Sequence, residues 1–302
     1  MSVQDDLCAV LRCPDDGGML GIQPAIVTCQ TCRRGYQRPR PEAIEMIASK
    51  PQGAMSGVSK AFYAAYLAER SMQLSLVEAA AAWGAPGTMS PGWVRLRRRY
   101  SSRVVNLILR LFGNRRGVVL DTSAGAGYVT FGLAERGVPT IHADLDRSSI
   151  AYALGWLDNS PGSPPLLALR ADYFALPARG TIDAVVATDS LIRGRQHELA
   201  ALQAIRLALT EDGFAVVDFH NWLHNPLRRL GLLPDNFKGN RSYLHGELPN
   251  LVRAAGLKID MEESYHQEDD QPRVSRWVAR LVPPTRFVVV LRKDTSSIGR
   301  AP

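Results

Sequence analysis

Val118-Val119-Leu120-Asp121-Thr122-Ser123-Ala124-Gly125-Ala126-Gly127-Tyr128 reads as a buried strand, a glycine turn and the start of a helix. The strand, Gly117 to Leu120, is short and apolar on both faces, as parallel strands covered on both sides are. Asp121 stands where it ends. Gly125 and Gly127 allow a tight turn and a close approach of backbone to a ligand. Tyr128 to Gly137 carries Val129, Leu133 and Ala134 at helical spacing and stops at a glycine. Strand, glycine turn and helix at the edge of an α/β sheet form a nucleotide-binding device.

The following residues extend the pattern. A strand, Val138 to Ala143, ends at Asp144, about 20 residues past the turn, where an acidic side chain can accept hydrogen bonds from both ribose hydroxyls. A helix around Ser148 to Leu157 comes next. Then come the strand Leu166 to Arg170, the segment Ala171-Asp172-Tyr173-Phe174-Ala175-Leu176-Pro177, and a buried strand Ile182 to Thr188. From Gly117 to about Arg292 this order resembles the class I S-adenosylmethionine (SAM) methyltransferases. Asp121-x-x-x-Gly125-x-Gly127 is similar to their first motif, Asp144 to their ribose acid, Asp172 with Leu176-Pro177 to their adenine-contacting motif, and Ile182 to Val186 to their fourth strand. Ser123 departs from the pattern, standing where the family usually has its first glycine.

The resemblance implies a Rossmann-like, seven-stranded α/β sheet with helices on both faces. It implies SAM as cofactor, held by Asp121, Ser123, Gly125, Gly127, Asp144, Leu145, Asp172, Tyr173 and Thr188. The alternative is a plain dinucleotide-binding domain, which usually shows G-x-G-x-x-G; here Thr130 occupies the third glycine position.

The 302 residues give room for one large core and an appendage. Charged residues make up 22% of the chain, an ordinary globular balance. No run of about 20 apolar residues exists, so no membrane span is expected. The first residues, Met1 to Asp6, lack the layout of a signal peptide, so a cytoplasmic protein with reduced thiols is expected. The net charge of +7 permits an anionic partner without establishing one. Much of the excess is arginine at 95–116 and 273–292, read as solvated faces with some carboxylate pairing.

All four cysteines, Cys8, Cys13, Cys29 and Cys32, fall near the start. In a reduced compartment such clustering suggests metal. Cys29-Gln30-Thr31-Cys32 is a C-x-x-C knuckle. Its upstream counterpart begins at Cys13 but has Asp16 where a second cysteine would stand, and carboxylate is an acceptable zinc ligand. Residues 11–36 resemble the small zinc-ribbon domain at the head of some methyltransferases, and Cys8 there falls on an apolar position. Three readings stand: zinc on Cys13, Asp16, Cys29 and Cys32; zinc on Cys8, Cys13, Cys29 and Cys32; or a ribbon that has lost its metal. Any metal would be structural.

The domain plan is a ribbon-like module at 1–48, a helical lid and linker at 49–116, the methyltransferase domain at 117–293 and a tail at 294–302. Arg38-Pro39-Arg40-Pro41 marks the first boundary. Ala43 to Ile47 is a short apolar piece. Val58 to Arg70 and Leu74 to Trp83 read as helices, and Trp93 to Phe112 as an amphipathic helix leading into the first strand. Farther on, a helix at Gln196–Leu209 closes at Glu211-Asp212-Gly213, and Phe214 to Phe219 is a strand. Ser242 to Gly256 reads as a helix, and Leu257–Glu262 with Phe287–Leu291 as the last two strands.

Methyl transfer from a sulfonium needs the acceptor placed in line and water excluded; a base helps only where the acceptor must lose a proton. His220 and Asp189, each after a central strand, are the catalytic candidates. Tyr63, Tyr66, Trp222, His224 and Tyr243, with Phe62, are the candidates for covering an apolar substrate. The expected function is methylation of a small, partly apolar metabolite or natural-product intermediate. The alternative is a ribosomal-RNA base methyltransferase, since that group also carries an N-terminal zinc ribbon.

Overall fold

The computed structural model describes residues 3–49, 91–191, 195–224, 227, 230–232, 242–265 and 283–295. The expected helices at 58–70 and 74–83, Tyr63 and Tyr66 with them, the 233–240 stretch and the 266–282 link lie outside these residues.

The chain opens with helix α1 (Val3–Ala9) and the antiparallel strands β1 (Leu20–Ile22), β2 (Ile26–Cys29) and β3 (Gly35–Gln37). Strand β4 (Ala43–Glu45) follows, then α2 (Pro91–Phe112). The α/β unit runs β5 (Val119–Thr122), α3 (Tyr128–Ala134), β6 (Thr140–Asp144), α4 (Arg147–Asp158), β7 (Leu166–Arg170), β8 (Ile182–Ala187), α5 (Arg195–Ala208), β9 (Leu209–His220), α6 (Leu248–Ala254), β10 (Leu257–Tyr265) and β11 (Arg286–Lys293).

The main sheet has the order β10-β11-β9-β8-β5-β6-β7-β4. Strands β4 to β9 run parallel, and β11 pairs antiparallel with both β9 and β10. Chain order reverses between β5 and β8, and open α/β sheets bind ligands outside the carboxyl ends of the strands at such a point. The strand side chains alternate between two cores. Leu120, Val185, Val217 and Val289 pack with α1, α5 and α6 on one face. Val119, Val186, Val216 and Val290 pack with α2 and α3 on the other. This period of two explains why the strands read as continuous apolar runs: both faces are covered.

Three local expectations change. Ala43 to Glu45 is an eighth strand, paired in parallel with β7, so the sheet exceeds the seven strands expected. It was legible only as a short apolar piece because its pairing is entirely long-range. Strand β9 begins at Leu209 and runs through Glu211-Asp212-Gly213, where a break was expected. The helix expected from Ser242 is ordered only as a short 3-10 turn, His245–Glu247, leading into α6, because Pro249 sets its first turn.

The N-terminal module is not a separate core. Leu7, Leu11, Val27, Tyr36 and Met46 belong to the same buried cluster as Leu167 and Leu169 of the main sheet and Phe174 just after β7. Its backbone is tied in as well: Arg12 N–H donates to the Pro177 carbonyl at 2.9 Å, and Thr181 Oγ1 to the Val10 carbonyl at 2.6 Å. The prolines at 39 and 41 mark a bend in the chain rather than a gap in the packing. No helix among the described residues is long and apolar enough to cross a membrane.

Candidate active site

The glycine turn after β5 lies at the β5/β8 switch point. Ser123, Gly125 and Gly127 have φ of 54°, 56° and 68°. Ser123 thus adopts the left-handed conformation a glycine would take at no cost, though for other residues it costs about 1–2 kcal/mol. At Gly127 more than φ is at stake, since a Cβ there would come within 2.4 Å of the Phe131 ring.

Asp144, at the end of β6, accepts the Gly125 N–H at 2.9 Å on one carboxylate oxygen and the Asp146 N–H at 2.9 Å on the other. These two bonds fix the orientation of the Asp144 carboxylate. Asp146 in turn caps α4 by accepting the Ser148 N–H at 2.8 Å. Asp172, after β7, accepts the Phe174 N–H at 3.0 Å in an Asx turn. The Tyr173 ring lies tilted against Phe174, with ring centroids 4.1 Å apart. Leu145 is buried beside Asp144, and Thr188 follows the end of β8 half-buried.

Asp121 does something else. Its carboxyl group is only 3% exposed and points into α3, against the Thr130 N–H at 3.1 Å and the Thr130 hydroxyl at 2.6 Å. Burial first, with Asp144 adding repulsion, pushes its pKa up to about 7. Thr130, notable in the sequence only for not being glycine, is therefore the partner of the first motif's acid.

The opposite wall, at the ends of β8 and β9, is built from charge. His220 Nε2 lies 3.0 Å from Asp189 Oδ1, so the two catalytic candidates meet. Asp189 is held at φ 55°, and its N–H donates to Asp218 Oδ1 at 2.8 Å. Arg97, from α2, and Arg286, from β11, both pair with the Asp189 carboxylate. Arg286 also reaches Asp218 at 2.8 Å, and the Tyr100 hydroxyl donates to that same oxygen. Asp218 is fully buried; burial opposes the charge of Arg286, but Asp218, Tyr100 and Tyr265 together hold the guanidinium above its ordinary pKa. Burial and the nearby Arg286 pull Arg97 down. Sequence reasoning missed Arg97, Tyr100, Asp218 and Arg286. The one available signal was Asp218 itself, a charged residue inside the apolar run Phe214–Phe219.

The substrate candidates separate. Trp222 and His224 follow β9 in a 3-10 turn fixed by Asn221, whose side chain donates to the Pro284 carbonyl at 2.7 Å and accepts the Leu223 N–H at 3.0 Å. His224 Nδ1 meets the Pro283 carbonyl at 3.1 Å. Tyr243 was expected to cover a ligand, but it is 1% exposed and packs edge-on against Phe219 in the main core. Its backbone, not its ring, serves the site, through a bridge to Asn221.

The N-terminal cluster is assembled by two matching turns. Gly17 N–H bonds the Cys13 carbonyl at 2.8 Å and Cys13 N–H the Gly18 carbonyl at 2.9 Å. Arg33 N–H bonds the Cys29 carbonyl at 3.1 Å and Cys29 N–H the Arg34 carbonyl at 2.9 Å. Gly17 and Arg33 both have positive φ, 76° and 63°. Asp16 is thus the structural counterpart of Cys32. The ligand atoms of Cys13, Asp16, Cys29 and Cys32 lie within 4.8 Å of one another. Cys13 and Cys32 Sγ are 3.7 Å apart, and two thiolates on one tetrahedral zinc at about 2.3 Å stand about 3.8 Å apart. Backbone N–H groups of Thr31 and Cys32 point at Cys29 Sγ, at 3.3 and 3.4 Å. The donor set fits zinc. Cys8 is not part of it; its thiol is buried in the main core.

No family model and no curated protein sequence matches the chain. Solved structures do match in fold. Magnesium protoporphyrin IX methyltransferase from Synechocystis PCC 6803, crystallised with SAM, aligns over 72% of this chain and 90% of its own, with a TM-score of 0.52 and 14% identity. The [4+2]-cyclase SpnF aligns over 63% of this chain and 80% of its own, with a TM-score of 0.51 and 17% identity. A sarcosine dimethylglycine methyltransferase homologue from Galdieria sulphuraria aligns over 65% and 86%, with a TM-score of 0.50 and 13% identity. The chain therefore has the Rossmann-like methyltransferase fold.

Proposed function

We propose that the protein binds SAM at the β5/β8 switch point and methylates a small, partly apolar molecule through a hydroxyl group. The observation that carries this reading is Asp144. It is an acid at the end of β6, locked onto the glycine turn by the Gly125 N–H and aimed where a ribose would lie. Bound SAM supplies an electrophilic methyl group whose leaving thioether is neutral. The remaining work falls to the acceptor wall. If the His220 ring donates its Nε2 hydrogen to Asp189, Nδ1 becomes the basic nitrogen, suited to taking a proton from a hydroxyl acceptor. Asp189, shared with the two guanidiniums, orients His220. Trp222, two residues after His220, offers apolar surface to such an acceptor.

The RNA reading loses support because Arg97, in the most basic stretch of the chain, is turned inward onto Asp189. That a neighbour of the same fold is a cyclase means that methyl transfer must be measured rather than assumed. Calorimetric titration with SAM and its demethylated product, followed by mass spectrometry of metabolites retained on the purified protein, tests the proposal. Absence of binding to both compounds overturns it.

For the N-terminal cluster, a structural zinc on Cys13, Asp16, Cys29 and Cys32 is the reading supported by the two matching turns. Elemental analysis of protein purified without chelator should find about one zinc per chain. Folded protein without zinc would leave the turns as a packing relic.

A further inference from the structure

Behind the glycine turn lies a chain of buried polar groups. Asp121 Oδ2 meets Thr130 Oγ1 at 2.6 Å, and Thr130 Oγ1 meets His142 Nδ1 at 3.2 Å. His142 Nε2 meets Ser149 Oγ at 2.9 Å, and Ser149 Oγ donates to the Gly125 carbonyl at 2.8 Å. Asp121, Thr130, His142 and Ser149 are all buried, His142 and Ser149 completely. The chain starts at the acid of the first motif, passes through α3, β6 and α4, and returns to the glycine turn.

With each of these contacts taken as a hydrogen bond, counting hydrogens sets the protonation. Ser149 donates to a carbonyl, which can only accept, so its oxygen must receive a hydrogen from His142 Nε2. With a neutral ring, Nδ1 then bears only a lone pair. Thr130 has one hydroxyl hydrogen but faces two acceptors, Nδ1 and the Asp121 carboxylate. One further hydrogen is needed, on Asp121 or on His142 Nδ1. Placing it on His142 would leave an imidazolium and a carboxylate buried on opposite sides of a threonine, an arrangement that desolvation penalises twice. Placing it on Asp121 leaves every member neutral and every contact filled.

We propose that Asp121 is not a cofactor ligand but the proton-bearing end of a neutral relay, Asp121–Thr130–His142–Ser149, that holds the Gly125 carbonyl and so presets the glycine turn to receive the cofactor. These four are positioning residues. Asp144 holds the Gly125 N–H while Ser149 holds its carbonyl, so the peptide units on either side of Gly125 are gripped from both ends. The depressed pKa of His142, about 3 through burial, agrees with a ring that stays neutral. Nearby charge comes from Asp144, whose negative field also disfavours a second anion at Asp121.

The proposal rests on the cofactor reading above, and its test separates the two. The intact protein, labelled with nitrogen-15 in its histidines, should show one ring that is neutral, protonated at Nε2 and unchanged down to acid pH; His142→Gln should remove that signal. A wild-type spectrum in which every histidine titrates normally, or in which the buried ring is an imidazolium at neutral pH, overturns the relay whether or not the cofactor binds. Calorimetry with SAM gives the second readout. Asp121→Asn keeps a neutral donor toward Thr130 and should hold affinity within about threefold of wild type, whereas Asp121→Ala and Ser149→Ala should each lose about five- to tenfold. Loss in Asp121→Asn as large as in Asp121→Ala means that the carboxylate itself is needed, and sinks the proposal. Wild-type protein that binds no SAM removes the cofactor reading, and the histidine spectrum still judges the relay.

Discussion

The two walls of the switch point bury polar groups in opposite ways. On the glycine-turn side, Asp121, Thr130, His142 and Ser149 form a neutral hydrogen-bonded chain. On the acceptor side, Arg97 and Arg286 face Asp189 and Asp218, two cations against two anions, with His220 and Tyr100 at the margin. The neutral chain costs little to bury and holds a fixed shape. The charged cluster is balanced only while all its members are present, and an uncompensated buried charge is expensive. The walls should therefore fail differently: the first by loosening, the second by collapse.

The largest effect should come from unbalancing the charged wall. Arg286→Ala leaves fully buried Asp218 with Tyr100 as its side-chain hydrogen-bond partner and only Arg97 as a nearby cation, and should lower stability by about 3–5 kcal/mol, measured by urea unfolding. Adding Asp218→Asn should restore much of that loss, because the stranded charge is removed. If the single variant unfolds like wild type, the two walls do not differ in the way drawn here.

Next comes the grip on the cofactor. Asp144→Ala removes charge-assisted bonds worth about 1.5–3 kcal/mol each and releases the Gly125 N–H, so SAM affinity should fall by roughly tenfold to more than a hundredfold. Unchanged affinity in calorimetry would take the ribose role away from Asp144.

The neutral wall can be sharpened by pH. The folded-state pKa of Asp121 is raised from 3.8 to about 7, so its stabilising share is complete below pH 3.8 and lost as pH rises through 7. His142 is lowered from 6.5 to about 3, so its share is present above pH 6.5 and lost as pH falls toward 3. Between about pH 4 and 6.5 the slopes are equal and opposite, because folding moves one proton from His142 to Asp121 without net uptake. In Asp121→Asn only the histidine slope survives, and stability should gain up to about 1.4 kcal/mol per pH unit across that window relative to wild type. Parallel wild-type and variant profiles would show that the two groups do not share a proton.

The sequence made the glycine-turn wall legible and the charged wall only in part. Strand, glycine turn and helix are local, with fixed spacings, and the carboxylates at 121 and 144 fall at strand ends. The charged wall is assembled from Arg97, Asp189, Asp218 and Arg286, on elements far apart in the chain, and no local period joins them. His142 and Asp218 share the one trace that could have been read: each is a polar residue inside an otherwise apolar strand, which must find a partner when buried. Tyr243 shows the opposite error. An aromatic residue at the start of an expected helix looked like a pocket wall, and long-range packing against Phe219 placed it in the core. The N-terminal turns were legible as ligand spacing, but β4, which carries the module into the main sheet, had no sequence signature beyond the short apolar piece Ala43 to Ile47.

The smallest effect concerns Ser123, where the chain departs from the pattern it resembles. Its φ of 54° is a glycine's conformation, so the turn has kept its geometry while losing the residue that adopts it freely. The left-handed backbone costs a serine about 1–2 kcal/mol. Glycine would relieve that strain but lose about 0.4–1 kcal/mol through the greater freedom of its unfolded chain. Ser123→Gly should therefore stabilise the protein by roughly 0.5 kcal/mol and leave SAM affinity almost unchanged, because Asp144 and Ser149 grip Gly125 independently of residue 123. A clear drop in affinity would mean that the serine hydroxyl contributes to the cofactor site, and that the neutral wall holds its ligand by more than shape.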